Sequence, residues 1–141
     1  MEKGKRRRIL VPLDGSVCGE NILPKLEELA SNLRAGICLL RVTSAHTFPG
    51  VDPSEAEVKV VREAEEYLKS LEGQLRAKGL DVDTHVRYGN EVEEILDHAA
   101  QKEIDLIAMS RGHRGVKHLL LGCVAEKVLR HTPKPVFLVR C

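Results

Sequence analysis

A glycine-rich, basic segment between residues 110 and 124 is the part of the chain best suited to bind an anion. It follows an apolar run at residues 104–109 and precedes an amphipathic helix, so it joins a strand to a helix. Glycines let the backbone approach a phosphate, helix N-terminal amides point towards it, and cations neutralise its charge. By spacing alone, a phosphate-binding loop and an ordinary strand-to-helix turn fit equally well. The cations of the segment include Arg111, His113, Arg114 and Lys117.

Asp14 is a second candidate, because it follows the first apolar run of the chain at residues 8–13. The sequence Asp-Gly-Ser is a turn that opens a helix, and an aspartate there either caps the helix or accepts hydrogen bonds from ligand hydroxyls. No Ser-His-Asp arrangement, carboxylate pair or metal-ligand spacing accompanies it, and the 110–124 segment lacks the Gly-Lys-Ser/Thr ending of a P-loop. We therefore assign no catalytic and no metal-binding residues.

The elements that position these residues alternate between strands and helices. Apolar runs predict strands at residues 8–13, 37–42, 104–109 and 135–139, and strict alternation predicts a half-exposed or edge strand at residues 80–87. Apolar residues at helical spacing predict four intervening helices. The first has Pro24 near its first turns or at a kink and ends at Gly36, the second begins at Asp52 and ends at Gly79, the third is capped by Asn90, and the fourth spans residues 119–130.

This alternation predicts an α/β protein: a single doubly wound, five-stranded parallel sheet of order 3-2-1-4-5, with helices on both faces. Ligands of such sheets bind at the carboxyl ends of the strands, where the strand order reverses. In this order, strands one and four are neighbours. Asp14 and residues 110–112 then face one crevice, which favours the ligand-binding interpretation of both.

Composition limits the class of protein. A chain of 141 residues with 22 basic and 21 acidic side chains is one domain and, as a whole, not a polyanion binder. The absence of tryptophan and the 3% aromatic content argue against nucleic-acid recognition. No apolar run has the length of a signal peptide or membrane span, so we expect a cytoplasmic protein without a membrane partner. The basic residues 1–7 are predicted to be a disordered leader, and residues 8–141 the domain.

From Arg8 to Arg140 the chain resembles the universal stress protein family. Its first strand ends in Pro12-Leu13-Asp14 and its second in Val42, as in the family. Gly112 and Gly122, with nine residues between them, match the second half of the signature Gly-x2-Gly-x9-Gly-Ser/Thr. Two positions depart from this signature. By ungapped count Met109 replaces its first glycine, or else the loop is one residue shorter than in the family, and Cys123 replaces its hydroxyl residue.

The resemblance implies an adenine nucleotide α-hydrolase-like fold that binds ATP or a related adenine nucleotide, alone or with Mg²⁺. Asp14 would contact the ribose, and the Val42 backbone would contact adenine. The protein would act as a regulatory homodimer in the stress response, with at most slow, incidental ATP hydrolysis. The implied nucleotide-binding residues are Pro12, Asp14, Val42, Met109, Ser110, Arg111, Gly112, Gly122, Cys123 and Val124, and the implied dimer contacts are Val136, Phe137, Leu138 and Val139.

The two departures keep a second interpretation open. The Met109 side chain could turn into the core or block the crevice. Cys123 is a poorer donor than serine and would weaken a phosphate contact by about 0.5–1.5 kcal/mol, the worth of one ordinary hydrogen bond. The alternative is a family member that has lost its nucleotide site and acts as a dimeric protein-interaction module.

Overall fold

A five-stranded, all-parallel sheet forms the centre of the protein. The computed structural model describes residues 7–44, 49–50, 52–111 and 120–140. The strand order is β3-β2-β1-β4-β5, which confirms the fold class and the strand order predicted from the sequence. The strands are β1 (Arg8–Pro12), β2 (Gly36–Thr43), β3 (Val82–Tyr88), β4 (Ile104–Arg111) and β5 (Val136–Arg140).

The helices of the described residues are α1 (Val17–Glu20), α2 (Leu23–Leu33), α3 (Pro53–Arg76), α4 (Glu91–Ala99) and α5 (Leu120–His131). The first predicted helix is therefore two helices. Ser16 caps α1 by accepting a hydrogen bond from the Gly19 amide, and Pro24 lies in the first turn of α2. Because proline has no N–H to donate to the preceding turn, the hydrogen-bonded ladder stops and begins again at Leu23.

Two buried clusters form the core, one on each face of the sheet. Alternate residues of each strand point to opposite faces, so Ile9 and Val11 join one cluster and Leu10 joins the other. The first cluster packs against α2 and α3. The second packs against α4 and α5. Both faces of the sheet are thus covered, which explains the continuous apolar runs of β1 and β2.

Strand β3 lies at one edge of the sheet, as its alternating sequence predicted. Arg8 on β1 reaches across the start of β2, and its guanidinium nitrogens lie 3.2 Å from Asp81 Oδ2 and 2.7 Å from Asp83 Oδ1. Gly36 gives this guanidinium room, since a Cβ there would lie 2.7 Å from Arg8 Nη1. The prediction that Gly36 ends the first helix is wrong. Helix α2 ends at Leu33, and Arg34 takes the left-handed conformation that follows it.

Strands β2 and β4 both extend beyond the carboxyl end of β1, which lies between them. The last β1–β2 pair is Pro12 with Leu40, and β2 continues to Thr43. The last β1–β4 pair is Leu10 with Ile107, and β4 continues to Arg111. We call the resulting gap above Pro12, flanked by residues 41–43 and 108–111, the notch. It lies at the point where the strand order reverses, the usual ligand position in such sheets.

Residues 1–6 of the predicted leader lie outside the described residues, while the Arg7 carbonyl accepts a hydrogen bond of 2.8 Å from the Gly36 amide. Among the described residues, no helix is both long enough and apolar enough to cross a bilayer.

Candidate functional site

Asp14 lies at the mouth of the notch and caps the turn into α1. Its Oδ1 accepts hydrogen bonds from the Ser16 amide (2.9 Å) and from the Ser16 hydroxyl (2.6 Å). The Ser16 Oγ in turn accepts one from the Gly19 amide at 2.9 Å. Asp14 therefore has the capping role that the sequence offered as one alternative. Because this role uses Oδ1 alone, the Oδ2 atom of Asp14 can still contact a ligand.

Val42 presents its backbone to the notch. The Leu13 amide donates to the Leu40 carbonyl, so the backbone groups of Leu40 point towards β1. Backbone groups two residues apart on a parallel strand point the same way, so Val42 N–H and C=O also point towards β1, beyond the pairing that ends at Pro12. The Val42 side chain packs against the second core cluster. A ligand in the notch can therefore reach the backbone of Val42.

Arg41, next to Val42, was not singled out from the sequence. Its guanidinium carbon lies 5.2 Å from the centre of the Tyr67 ring on α3, a cation–π contact. The Tyr67 hydroxyl donates to Glu20 Oε2 at 2.6 Å, which fixes the ring. A charged residue at the carboxyl end of the otherwise apolar run 37–42 was the sequence signal that could have identified it.

Gly15 makes room for the Arg41 guanidinium. Its φ is +86°, a backbone conformation that residues other than glycine rarely adopt. A Cβ at this position would also collide with Arg41 Nη1. The guanidinium therefore lies directly against the turn that follows β1. Arg41 and Asp14 thus belong to the same wall of the notch.

Glu91, at the start of α4, adds a second carboxylate to this region. Burial raises the pKa of Glu91, the Asp14 charge raises it further, and the Arg41 charge opposes them. Asp14 and Arg41 thus both act electrostatically on Glu91. Among the described side chains, the wall of the notch formed by β1, β2 and α4 includes the carboxylates of Asp14 and Glu91 and the cation of Arg41.

Strand β4 forms the other wall. Met109 is completely buried in the second core cluster, so its side chain has turned away from the notch. Ser110 is also buried, and its hydroxyl donates to the Gly19 carbonyl at 3.2 Å, which joins β4 to α1. Arg111, the last residue of the strand, is exposed. Of these three predicted site residues, only Arg111 presents a side chain to solvent.

The remaining predicted site residues belong to the loop after β4 and to α5. Gly112 and the basic loop 112–119 lie outside the described residues. Gly122 and Cys123 fall in the first turns of α5, where Cys123 is an exposed free thiol. Val124 is buried in the core. Contacts from Met109 and Val124 to a ligand could therefore come only from their backbones, whereas Cys123 can offer its side chain.

A separate cluster of Cys38, His85 and His98 brings potential metal ligands within 4.8 Å of one another. Arg87 Nε donates to His98 Nδ1 at 2.9 Å, so the proton of neutral His98 lies on Nε2, which faces Cys38 Sγ at 3.5 Å. Burial raises the pKa of Cys38 to about 12 and lowers that of His98 to about 4. A metal ion would have to displace both protons, so we interpret the cluster as a buried hydrogen-bonded contact.

Comparison with known proteins agrees with this architecture. The family model described as the universal stress protein family matches residues 5–140. Universal stress protein YxiE of Bacillus subtilis is 31% identical over 94% of this chain and 98% of its own length. The MJ0577 structure, from a protein of Methanocaldococcus jannaschii, is 27% identical, covers 98% of both chains and superposes with a TM-score of 0.82.

A universal stress protein from Archaeoglobus fulgidus, solved in complex with dAMP, has the same fold. It is 22% identical, covers 96% of this chain and 99% of its own, and superposes with a TM-score of 0.69. The parallel sheet of order 3-2-1-4-5 places this chain among the doubly wound α/β proteins. With the family match spanning nearly the whole chain, this protein belongs to the universal stress protein family.

Proposed function

We propose that this protein binds an adenine nucleotide, ATP, in the notch and acts as a regulatory dimer with little or no turnover. The observation that carries the proposal is the extension of β2 and β4 beyond β1 on either side of the reversal point. This edge is where doubly wound sheets hold their ligands. A relative of the same fold has been solved with dAMP, which supports an adenine nucleotide as the ligand class.

The two walls of the notch suggest the orientation of the ligand. Asp14 and Glu91 supply acceptors for hydroxyl and amino groups, and Val42 supplies a backbone donor and acceptor for a base. The opposite end, at Arg111 and the basic residues that follow it in sequence, supplies cations for phosphates. The nucleoside would thus lie towards β2 and the phosphates towards β4. Met109, which the sequence left as a possible obstruction, is buried in the core and leaves the notch open.

A regulatory role fits the chemistry better than catalysis. The contact between the Asp14 carboxylate and the Ser16 hydroxyl is used in the turn that caps α1, and the sequence places no P-loop hydroxyl for Mg²⁺. Nucleotide binding without efficient turnover then acts as a signal of nucleotide level. In the proposed dimer, the edge strand β5 pairs with its counterpart through Val136, Phe137, Leu138 and Val139.

A dimeric interaction module without nucleotide is the second candidate. It is favoured by Cys123 in place of the signature hydroxyl and by the use of Asp14 Oδ1 in the turn before α1. Neither feature closes the notch, because the first costs about one hydrogen bond and the second leaves the other carboxylate oxygen. We therefore place nucleotide binding first.

Calorimetric titration with ATP, with and without Mg²⁺, tests the proposal. The wild-type protein is expected to bind ATP with low-micromolar affinity. Gly122→Val places a branched side chain where the backbone would approach phosphate, and it is expected to abolish binding. The matched control is Gly73→Val, also a helical glycine, where a Cβ meets no heavy atom within 4 Å. This control is expected to bind ATP like wild type.

Each alternative result has a definite meaning. If millimolar ATP gives no heat with folded wild-type protein, the nucleotide proposal is wrong and the interaction module replaces it. If Gly122→Val binds ATP as tightly as Gly73→Val, the nucleotide lies somewhere other than the notch.

A further inference from the structure

We infer that Arg41 recognises the base of the bound nucleotide by donating a hydrogen bond to one of its ring nitrogens. The inference rests on the proposed nucleotide-binding function. Arg41 lies on β2 just beyond the last residue that pairs with β1, and it is therefore part of the wall of the notch. Its guanidinium lies against Gly15 and over the Tyr67 ring.

The contacts with Gly15 and Tyr67 hold the Arg41 guanidinium in place without using its Nε–H donor. Its Nε is buried and has no hydrogen-bond partner within the part of the chain that the structure describes. Arg8 Nε is likewise buried without a partner among the described residues, but the terminal nitrogens of Arg8 pair with two aspartates, and Arg87 pairs with Glu94 and Asp97. A buried guanidinium nitrogen without an acceptor is costly. A ligand that supplies an acceptor beside Arg41 would offset that cost.

The charges around Arg41 indicate which part of a nucleotide it contacts. Asp14 and Arg41 both act electrostatically on Glu91, and Glu20 lies next to the Tyr67 hydroxyl. The two carboxylates of the wall, Asp14 and Glu91, disfavour phosphate there, whereas Arg111 at the end of β4 is a cation. Ribose hydroxyls are donors that suit the carboxylates, but ring nitrogens of a purine are acceptors and need a donor. On this wall, Arg41 supplies a side-chain donor in addition to the Val42 N–H.

Titrations with adenosine and ATP test the assignment. Arg41→Gln is expected to weaken binding of both ligands by the same factor, about tenfold, because a charge-assisted hydrogen bond to the shared nucleoside is lost. The matched control is Arg62→Gln, an exposed arginine on α3, which is expected to leave both affinities unchanged. Thermal unfolding of each variant checks that the fold is retained.

Deaza analogues separate direct recognition from a structural role of Arg41. Adenosine lacking N1, N3 or N7 is titrated into wild type and into Arg41→Gln. For wild type, one analogue is expected to bind about tenfold more weakly than adenosine. For Arg41→Gln, that analogue and adenosine are expected to bind with the same affinity. A merely structural arginine would weaken all analogues equally, and that result would overturn the inference.

The remaining outcomes distinguish this inference from the function on which it rests. If wild type binds neither adenosine nor ATP, both the function and the inference are wrong. If wild type binds and Arg41→Gln binds equally well, only the inference is wrong. If Arg41→Gln weakens ATP but not adenosine, Arg41 contacts phosphates and the assignment to the base is overturned.

Discussion

Lys134, a partly buried residue just before β5, connects three segments through a single ammonium group. Its Nζ donates to the carbonyls of Ala99 at 2.8 Å and of Gln101 at 3.1 Å, and also to the carbonyl of Ile104. The end of α4, the following turn and the start of β4 are thereby tied to one side chain. Such a contact stabilises the backbone carbonyls at the end of a helix, which otherwise lack partners.

Replacing this lysine should be costly for stability. Lys134→Met keeps the aliphatic stem but leaves the three carbonyls without their charged donor, so the free energy of unfolding is expected to fall by about 2 kcal/mol. Urea unfolding measures the change, and Lys102→Met, at an exposed lysine of the turn before β4, is the control expected to change little. Equal stabilities of the two variants would show that the Lys134 contacts contribute nothing.

His98 should make stability depend on pH. Burial, followed by the charges of His85 and Arg87, lowers its pKa to about 4, while Asp83 and Glu103 oppose this. An unfolded histidine titrates near ~6.5. Between about pH 6.5 and pH 4, the unfolded chain therefore binds a proton at His98 that the folded chain does not. Stability is fully present above that window and falls as the pH falls through it.

The measurement is urea unfolding at pH 7.5 and pH 4.5, with His98→Gln as the comparison. Because glutamine does not titrate, this variant is expected to lose less stability than wild type between the two pH values. An identical loss in both proteins would show that other groups carry the acid sensitivity.

At the scale of single residues, the sequence predicted which residues lie near the notch better than it predicted where their side chains point. The apolar run 104–109 places Met109 at the end of a strand, but its direction depends on register, which pairs it with Leu138 and turns it into the core. Arg41 was not predicted, because the run 37–42 indicates only a buried strand. The position of its guanidinium depends on Tyr67, which comes from a distant helix.

Among the helices and strands, the start of α4 is the clearest case in which local sequence determines a boundary. Asn90 was predicted to cap this helix, and its side chain accepts a hydrogen bond of 3.0 Å from the Glu93 amide. A kink at Pro24 was one of two alternatives, but a complete break into α1 and α2 was not predicted, because the apolar spacing continues through it. Caps and prolines fix where a helix starts, whereas spacing alone shows only which face is buried.

The Asn90 cap gives a prediction at this scale. Asn90→Ala removes the acceptor for an amide of the first turn of α4 and is expected to lower the free energy of unfolding by about 1 kcal/mol. Asn90→Asp keeps an acceptor and adds a favourable charge at the helix N-terminus, so it should be close to wild type. Chemical denaturation would contradict this account if alanine and aspartate behaved alike.

For the whole molecule, the open edge of the sheet at β5 underlies the proposed dimer. Leu138 on this strand is 36% exposed although it is a large apolar residue. An unpaired edge with apolar side chains favours pairing with a second copy. The strand order, the parallel direction and the position of this edge were all predicted from the sequence. Pairing with a partner depends on a surface that sequence periodicity alone does not describe.

Sedimentation velocity tests the dimer directly. Wild type is expected to sediment as a dimer and Leu138→Glu as a monomer, because the substitution places like charges across the two-fold axis. Leu129→Glu, at a leucine of α5 that is 49% exposed, is the control expected to remain dimeric. A monomeric wild type, or a dimeric Leu138→Glu, would contradict pairing through β5.

The central claim is that an adenine nucleotide occupies the notch, and amide NMR of the labelled protein titrated with ATP tests it most directly. The account predicts that saturating ATP shifts the amide signals of Asp14, Val42, Arg111 and Cys123 together, with one affinity. Signals of the distant strand ends, such as Arg8 and Ile104, should stay in place. No shift at saturating ATP, or shifts centred away from the notch, would contradict the account.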